Sequence, residues 1–302
     1  MKNLFRSAYQ WMFAEERREA IERFFLFLAL GGFVIHLLVI LLAKMNWVEI
    51  RGEDHGLLED IVSAIYTPFS FILVYEVFLL VYYLPQSFSI SIAKQFEITS
   101  LIVLRRIFKD IAKLDIESAD WSDSYHVNLL ADMVGVLVLV LLIYFFYRLS
   151  RKRPYVPPPK SLHTFILIKK GMAVVLVPVL IGLSLFSLTS WIMETQEFSA
   201  ELINEVSDIN DVFYHEFFSL LVLVDVALLM ISLFFTDNYS LLIRNAGFVV
   251  STILIRLSFS YDGIQNTILI VLGVSFGVVI QLMYNLIASQ EIDSESHSPS
   301  SS

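Results

Sequence analysis

The chain has 302 residues, of which 57% are hydrophobic, 14% aromatic and only 17% charged, with a mean hydropathy of +0.70; a soluble domain, with about a quarter of its residues charged, is excluded. It contains no cysteine, which removes disulfides, thiolate metal ligands and thiol nucleophiles together. The formal charge of −9 sits mostly in loops and tail, and no nucleic-acid partner is expected from it.

Apolar runs of about 20 residues recur, enough to cross the hydrocarbon as helices, and the alternation of a membrane barrel is absent. The expected class is therefore all-α: a polytopic helical membrane protein. Residues 1–23 read as an amphipathic cytoplasmic helix, with Glu19 and Arg23, and Arg18 and Glu22, at i,i+4 spacing and Trp11 suited to the headgroup boundary. The apolar run at 24–43 is a full span after a long acidic leader, which argues against a cleaved signal peptide. An acidic loop leads to a second crossing over 61–84, with Glu76 inside it and Pro85 at its end.

Residues 87–113 are long enough to cross, yet Lys94, Glu97, Arg105, Arg106, Lys109 and Lys113 give them the look of an interfacial helix. Drawn as a crossing, they put the N-terminus and the basic linker RLSRKRPYVPPPK on one cytoplasmic side; drawn as interfacial, they export that linker against the positive-inside bias. The crossing is adopted, with the interfacial helix as the alternative. A fourth crossing, HVNLLADMVGVLVLVLLIYFFY, holds Asp132. Residues 149–163 form a semi-rigid proline-rich spacer. Arg151, Lys152, Arg153 and Lys160 in it could hold anionic lipid, although such a cluster is also the ordinary topology signal. The fifth crossing covers about 171–192, preceded by Lys169 and Lys170, which are expected to snorkel to inner headgroups. Crossings over 214–235, 241–259 and 266–288 follow, and then a polar tail, 289–302, expected to be disordered.

The chain also aligns with itself. Phe69, Ser70, Glu76, Val77, Leu79 and Leu80 fall without a gap on Phe218, Ser219, Asp225, Val226, Leu228 and Leu229. One inserted residue then sets Lys94 on Arg244, and a second sets Arg105 on Arg256. Asn128, Gly135 and Val136 fall on Asn266, Gly273 and Val274. Shared apolar composition explains matched leucines and valines; it does not explain acid, base and base in one order, because ionisable residues in apolar segments are costly and rare. The expectation is two four-helix units, 24–148 and 164–288, about eight crossings in all. Four is even, so the repeats are parallel and both termini cytoplasmic.

Three features carry a family resemblance. They are an acid within an aromatic and aliphatic second helix (VYEVFLLVYY and LVDVALLMIS), an Arg followed by a Thr-containing helix ending in Arg (RNAGFVVSTILIRL), and a fourth helix, NLLADMVGVLVLVLLIYFFYR, that finishes in a basic run. On these residues each half resembles the small four-helix inner-membrane proteins of the phosphate-starvation-inducible PsiE family. Arg244, Thr252, Arg256 and Leu257 match best; the first half has Lys94 for the leading Arg, and Ile270 stands where a second Asp132 would fall. The resemblance implies a bacterial inner-membrane protein tied to phosphate-limitation stress, in a family without an established biochemical activity.

Glu76, Lys94, Arg105, Asp132, Asp225, Arg244 and Arg256 thus form the candidate intramembrane charge network. Glu76 and Lys94 are each nine residues from Pro85, roughly 13 Å along a helix, and can pair across a hairpin; Asp225 lies between Arg244 and Arg256 in depth, for a looser pairing. Lys94 and Arg105 share a helix face. Such pairs fix hairpin register and helix rotation, or they form a charge ladder for conduction or sensing, or they contact lipid headgroups or anions. His215 beside Glu216, and His36, lack the further ligands of a metal site and read as interfacial or hydrogen-bonded histidines. Gly31, Gly32, Gly273 and Gly277 read as sites of close helix packing, the last two as GxxxG. No phosphate loop or nucleophile elbow occurs, so a non-enzymatic protein without cofactors or a metal is expected, its partners the bilayer and a second copy or another membrane protein. The alternative is a proton or cation channel or transporter.

Overall fold

Long apolar segments with few breakers can satisfy their backbone groups in lipid only by coiling into helices. The computed structural model of the chain, which describes residues 9–45, 64, 66–112, 124–151, 162–197, 209–235 and 238–297, is helical through almost all of them. Among the described residues a helical turn at 9–12 precedes eight long helices: α1 (Glu15–Lys44), α2 (Tyr66–Tyr83), α3 (Phe88–Ala112), α4 (Ser124–Arg151), α5 (Leu162–Glu197), α6 (Ile209–Leu233), α7 (Tyr239–Ser258) and α8 (Gly263–His297).

Among the described residues, five stretches are long and apolar enough to cross a membrane: Glu15–Leu42, His126–Arg151, Thr164–Leu183, Tyr239–Ser258 and Gly263–Gln290. This is the make-up of a helical membrane protein. Helices α2 and α6 supply shorter apolar stretches, Thr67–Tyr83 and Ser219–Leu233. Helix α3 is unbroken for 25 residues but is not among the five, because its charged residues lower its hydropathy. Large apolar side chains lie open on α1 and α4, with Phe27 74% and Leu137 72% exposed; in water such faces would associate, whereas lipid covers them.

Several boundaries differ from those read in the sequence; helix α5, for one, runs Leu162–Glu197 where 171–192 was expected. Helix α1 runs without interruption through residues 23 and 24, so the amphipathic segment and the first span are one rod. Helix α8 continues to His297, through most of the stretch expected to be a disordered tail. Extending an existing helix costs far less than nucleating one, and Glu, Gln, Ala and Ser are tolerated in its continuation.

The chain divides into two compact units, one of residues 1–82, 102–130 and 173–218, the other of residues 83–101, 131–172 and 219–302. Both draw on both sequence halves, and α3, α4, α5 and α6 each supply residues to both. In the first unit Gly32 lies under Phe71 and Thr67 of α2, and His36 Nδ1 is 2.5 Å from Thr67 Oγ1. Phe69 stacks on Phe108, Tyr75 on Phe78, and Tyr75 donates to Glu22 at 2.9 Å. That bond replaces the expected Arg18–Glu22 pair: Arg18 reaches Glu15 at 3.9 Å instead, while Arg23 and Glu19 meet at 3.7 Å as their spacing predicts.

In the second unit α7 and α8 approach closely through glycine. A methyl at Gly273 would meet Ile255 and the Ser251 carbonyl, and one at Gly277 would meet Phe96 and Ser251 Oγ; Ser251 Oγ donates to the Gly273 carbonyl at 2.6 Å. The GxxxG reading holds at both positions, whereas Gly31 has open space around it. Phe96 meets Phe146 edge-on, and Phe146 leans on Phe248. Asn238 caps α7, accepting from the Leu241 N–H at 3.0 Å. Asn266 Nδ2 closes its far end by donating to the Ser258 carbonyl at 2.8 Å, beside Gly263 in the left-handed region at φ 60°.

Candidate functional site

The acids and arginines set at equivalent places by the self-alignment are the ones that meet. In the first unit Arg105 Nη1 is 3.4 Å from Glu76 Oε2, with side chains 13% and 6% exposed. The same nitrogen donates to the Phe69 carbonyl at 3.3 Å, so the guanidinium spans two turns of α2. In the second unit Arg256 Nη2 is 2.8 Å from Asp225 Oδ2, with side chains 6% and 8% exposed. Thr252 Oγ1, one turn before Arg256, donates to the same Asp225 oxygen at 3.4 Å, and Arg256 Nη2 also donates to Gln95 Oε1 at 3.2 Å.

Lys94 does not pair with Glu76. Its Nζ binds Glu97 Oε2 at 2.6 Å and lies 5.5 Å from the centre of the Tyr83 ring. An acid three residues ahead on the same helix lies close at hand, and Glu97 is held further by the Tyr147 hydroxyl, which donates to Oε1 at 2.6 Å. Arg244 is buried over the face of Tyr284, 4.6 Å from its centre, and donates to Asn245 Oδ1 at 3.1 Å; Arg256 is the base bound to Asp225. Asp132 is buried and accepts from Thr267 Oγ1. Thr267 sits one turn before Ile270, where the alignment lacks a second acid.

Lys169 departs most from expectation. It is 3% exposed and donates to the Gln86 carbonyl at 2.6 Å, its ammonium 4.6 Å from the Phe88 ring centre and 5.7 Å from that of Phe165. It does not snorkel. The carbonyl left free in the turn after α2, and the faces of two phenylalanines, replace the water or headgroup contacts of a lipid-exposed lysine. No protein-family model, curated protein or solved structure matches this chain.

Polar residues of α3 and α7 complete the arrangement. Ser89, Ser91, Gln95, Thr99 and Ser100 are buried on the one, and Ser240, Asn245, Ser251, Thr252 and Ser258 on the other. Several bond back to their own helices, as Thr99 does to the Gln95 carbonyl at 2.8 Å and Ser258 to the Ile255 carbonyl. Small hydroxyl residues in an apolar setting are the signal that marks these two helices as interior. Among the described residues no group of His, Cys, Asp and Glu could hold a metal ion. Arg151 is exposed at the end of α4; Lys152, Arg153 and Lys160 of the linker, and Lys113, lie outside the described residues.

Proposed function

We propose that this chain is a non-enzymatic bacterial inner-membrane protein, similar to the PsiE family, whose charge-paired helix bundles act as a scaffold or regulator under phosphate-limitation stress. Both termini are cytoplasmic in this reading, and its partners are the bilayer and another copy or membrane protein. The observation that carries it is the burial of Asp225 with Arg256 and of Glu76 with Arg105. Each acid is satisfied inside its own unit, as expected of charges that fix helix rotation and register; an unpaired charge in lipid costs more than a paired one.

One observation favours a second reading, a proton or cation channel or transporter. Arg256 Nη1 is buried with no hydrogen-bond partner among the described residues, beside Gln95 and Thr252, so the site has polar capacity beyond its ion pair. Liposomes reconstituted with the full chain and a pH-sensitive dye separate the two readings. The scaffold reading expects no proton flux and less folded protein for E76Q with D225N; flux in the wild type that disappears in that variant, with the variant still folded, refutes it.

A further inference from the structure

The α4 helix ends on a stripe that the charge network leaves unused. Tyr144, Tyr147, Arg148 and Arg151 follow the i, i+3, i+4, i+7 spacing of one helix face, and they line a cavity of about 490 Å³, within the range of about 300–1,000 Å³ typical of ligand sites. Arg148 and Arg151, both exposed, make no ion pair with a described residue. Glu97, the acid within reach of the stripe through Tyr147, already holds Lys94 at 2.6 Å and the Tyr147 hydroxyl at 2.6 Å. That bond also fixes the Tyr147 ring as a rigid wall. The cavity therefore has two guanidinium forks one turn apart at its polar end, two phenol rings at its apolar end and, among the described residues that line it, no acid to neutralise it.

We infer that this cavity binds a phosphate ester, the headgroup phosphate of an anionic phospholipid, with Arg148 and Arg151 on the phosphate oxygens and Tyr144 and Tyr147 along the adjoining apolar chain. Guanidinium matches phosphate with paired, parallel hydrogen bonds, which an ammonium cannot reproduce. The order of residues along α4 also matches the polarity of a lipid: the rings adjoin the apolar span Ile143 and Leu142 belong to, and the arginines stand in its last turn. Free phosphate has the same headgroup chemistry but no use for the rings. The inference depends on the membrane setting alone and survives either reading of the ion pairs.

The test titrates the full chain, purified in a neutral detergent, with short-chain phosphatidylglycerol, short-chain phosphatidylcholine and inorganic phosphate in separate arms. Phosphatidylglycerol is expected to bind at least about tenfold more tightly than phosphatidylcholine, and R148Q/R151Q to remove most of that preference. R148K/R151K keeps the charge without the forks and should fall between the two, while R17Q/R23Q on α1 should match the wild type. Should the double glutamine variant unfold by circular dichroism, R148Q and R151Q singly are each expected to weaken binding about threefold or more. Inorganic phosphate binding as tightly as the lipid, with the same arginine dependence, supports the phosphate site and assigns it to the free anion. Equal affinity for both lipids, or affinity unchanged by the arginine substitutions, overturns the inference.

Discussion

Replacing Asp225 with asparagine keeps its shape and its reach to Thr252 while removing the charge that faces Arg256. The guanidinium cannot shed its proton, so it is left charged and buried. With an effective dielectric constant near 20, unit charges 2.8 Å and 3.4 Å apart attract by about 6 and about 5 kcal/mol before desolvation is subtracted. Both ions have already lost water, so removing one partner exposes the other's desolvation penalty, and D225N is expected to cost about 3–5 kcal/mol. E76Q, at the longer and slightly more open pair, should cost about 1 kcal/mol less. Replacing both partners together, as in D225L/R256M, should return stability to within about 1–2 kcal/mol of the wild type, because the whole desolvation cost disappears. Unfolding by SDS in mixed micelles, followed by circular dichroism, reads these variants and, with the D225L and R256M singles, gives the four corners of that double-mutant cycle. If the D225L/R256M cost equals the sum of its singles, or if D225N costs under about 1 kcal/mol, the pair does not hold the bundle.

Other outcomes follow from the packing. G273A places its methyl against Ile255 and the backbone of α7 and should destabilise by about 1–3 kcal/mol, whereas G31A, with open space around it, should be neutral or stabilising by up to about 1 kcal/mol; the same micelle assay reads both, and equal effects would contradict the close approach. T267V leaves the buried Asp132 carboxyl without that hydroxyl and should cost about 1–3 kcal/mol. In the folded protein an amine-reactive reagent should modify exposed Lys44 at least about tenfold faster than Lys169; mass spectrometry showing equal rates would place Lys169 at the surface. Reporter fusions after Lys113 and after Arg153 should lie on opposite sides of the membrane, outer and then inner, and both on the cytoplasmic side would remove α3 as a crossing.

The helices were legible because apolar length and spacing dictate them, and the membership of Glu76, Arg105, Asp225 and Arg256 in one charge network was legible because costly residues recurred in order; which base each acid takes was not, since Glu76 was set against Lys94 and Asp225 between two arginines. Lys94 was misread for a local reason: depth from Pro85 brings it level with Glu76, but Glu97 stands one turn away on its own helix. Lys169 was misread because a lysine at the head of an apolar span usually reaches headgroups, and nothing in its neighbourhood announces the Gln86 carbonyl, distant in the chain, or the rings of Phe88 and Phe165. The Thr267–Asp132 contact was hidden likewise, since a threonine in a long apolar helix carries no sign of its partner. Arg151 was legible only as part of the linker's basic run; its place on one face with Tyr144, Tyr147 and Arg148 follows from the helix continuing as far as Arg151.

The interleaving of the two units bears on how a ribosome could deliver this protein. One unit draws residues as late as 218 and the other needs residues from 83 onward together with 219–302. A nascent chain halted near residue 160 would hold parts of both and the whole of neither, with Gln86 still lacking Lys169, Gln95 lacking Arg256 and Asp132 lacking Thr267. Either sequence half made alone should therefore be a substrate for membrane proteases, and the early helices must wait, provisionally sheltered, until translation is nearly done.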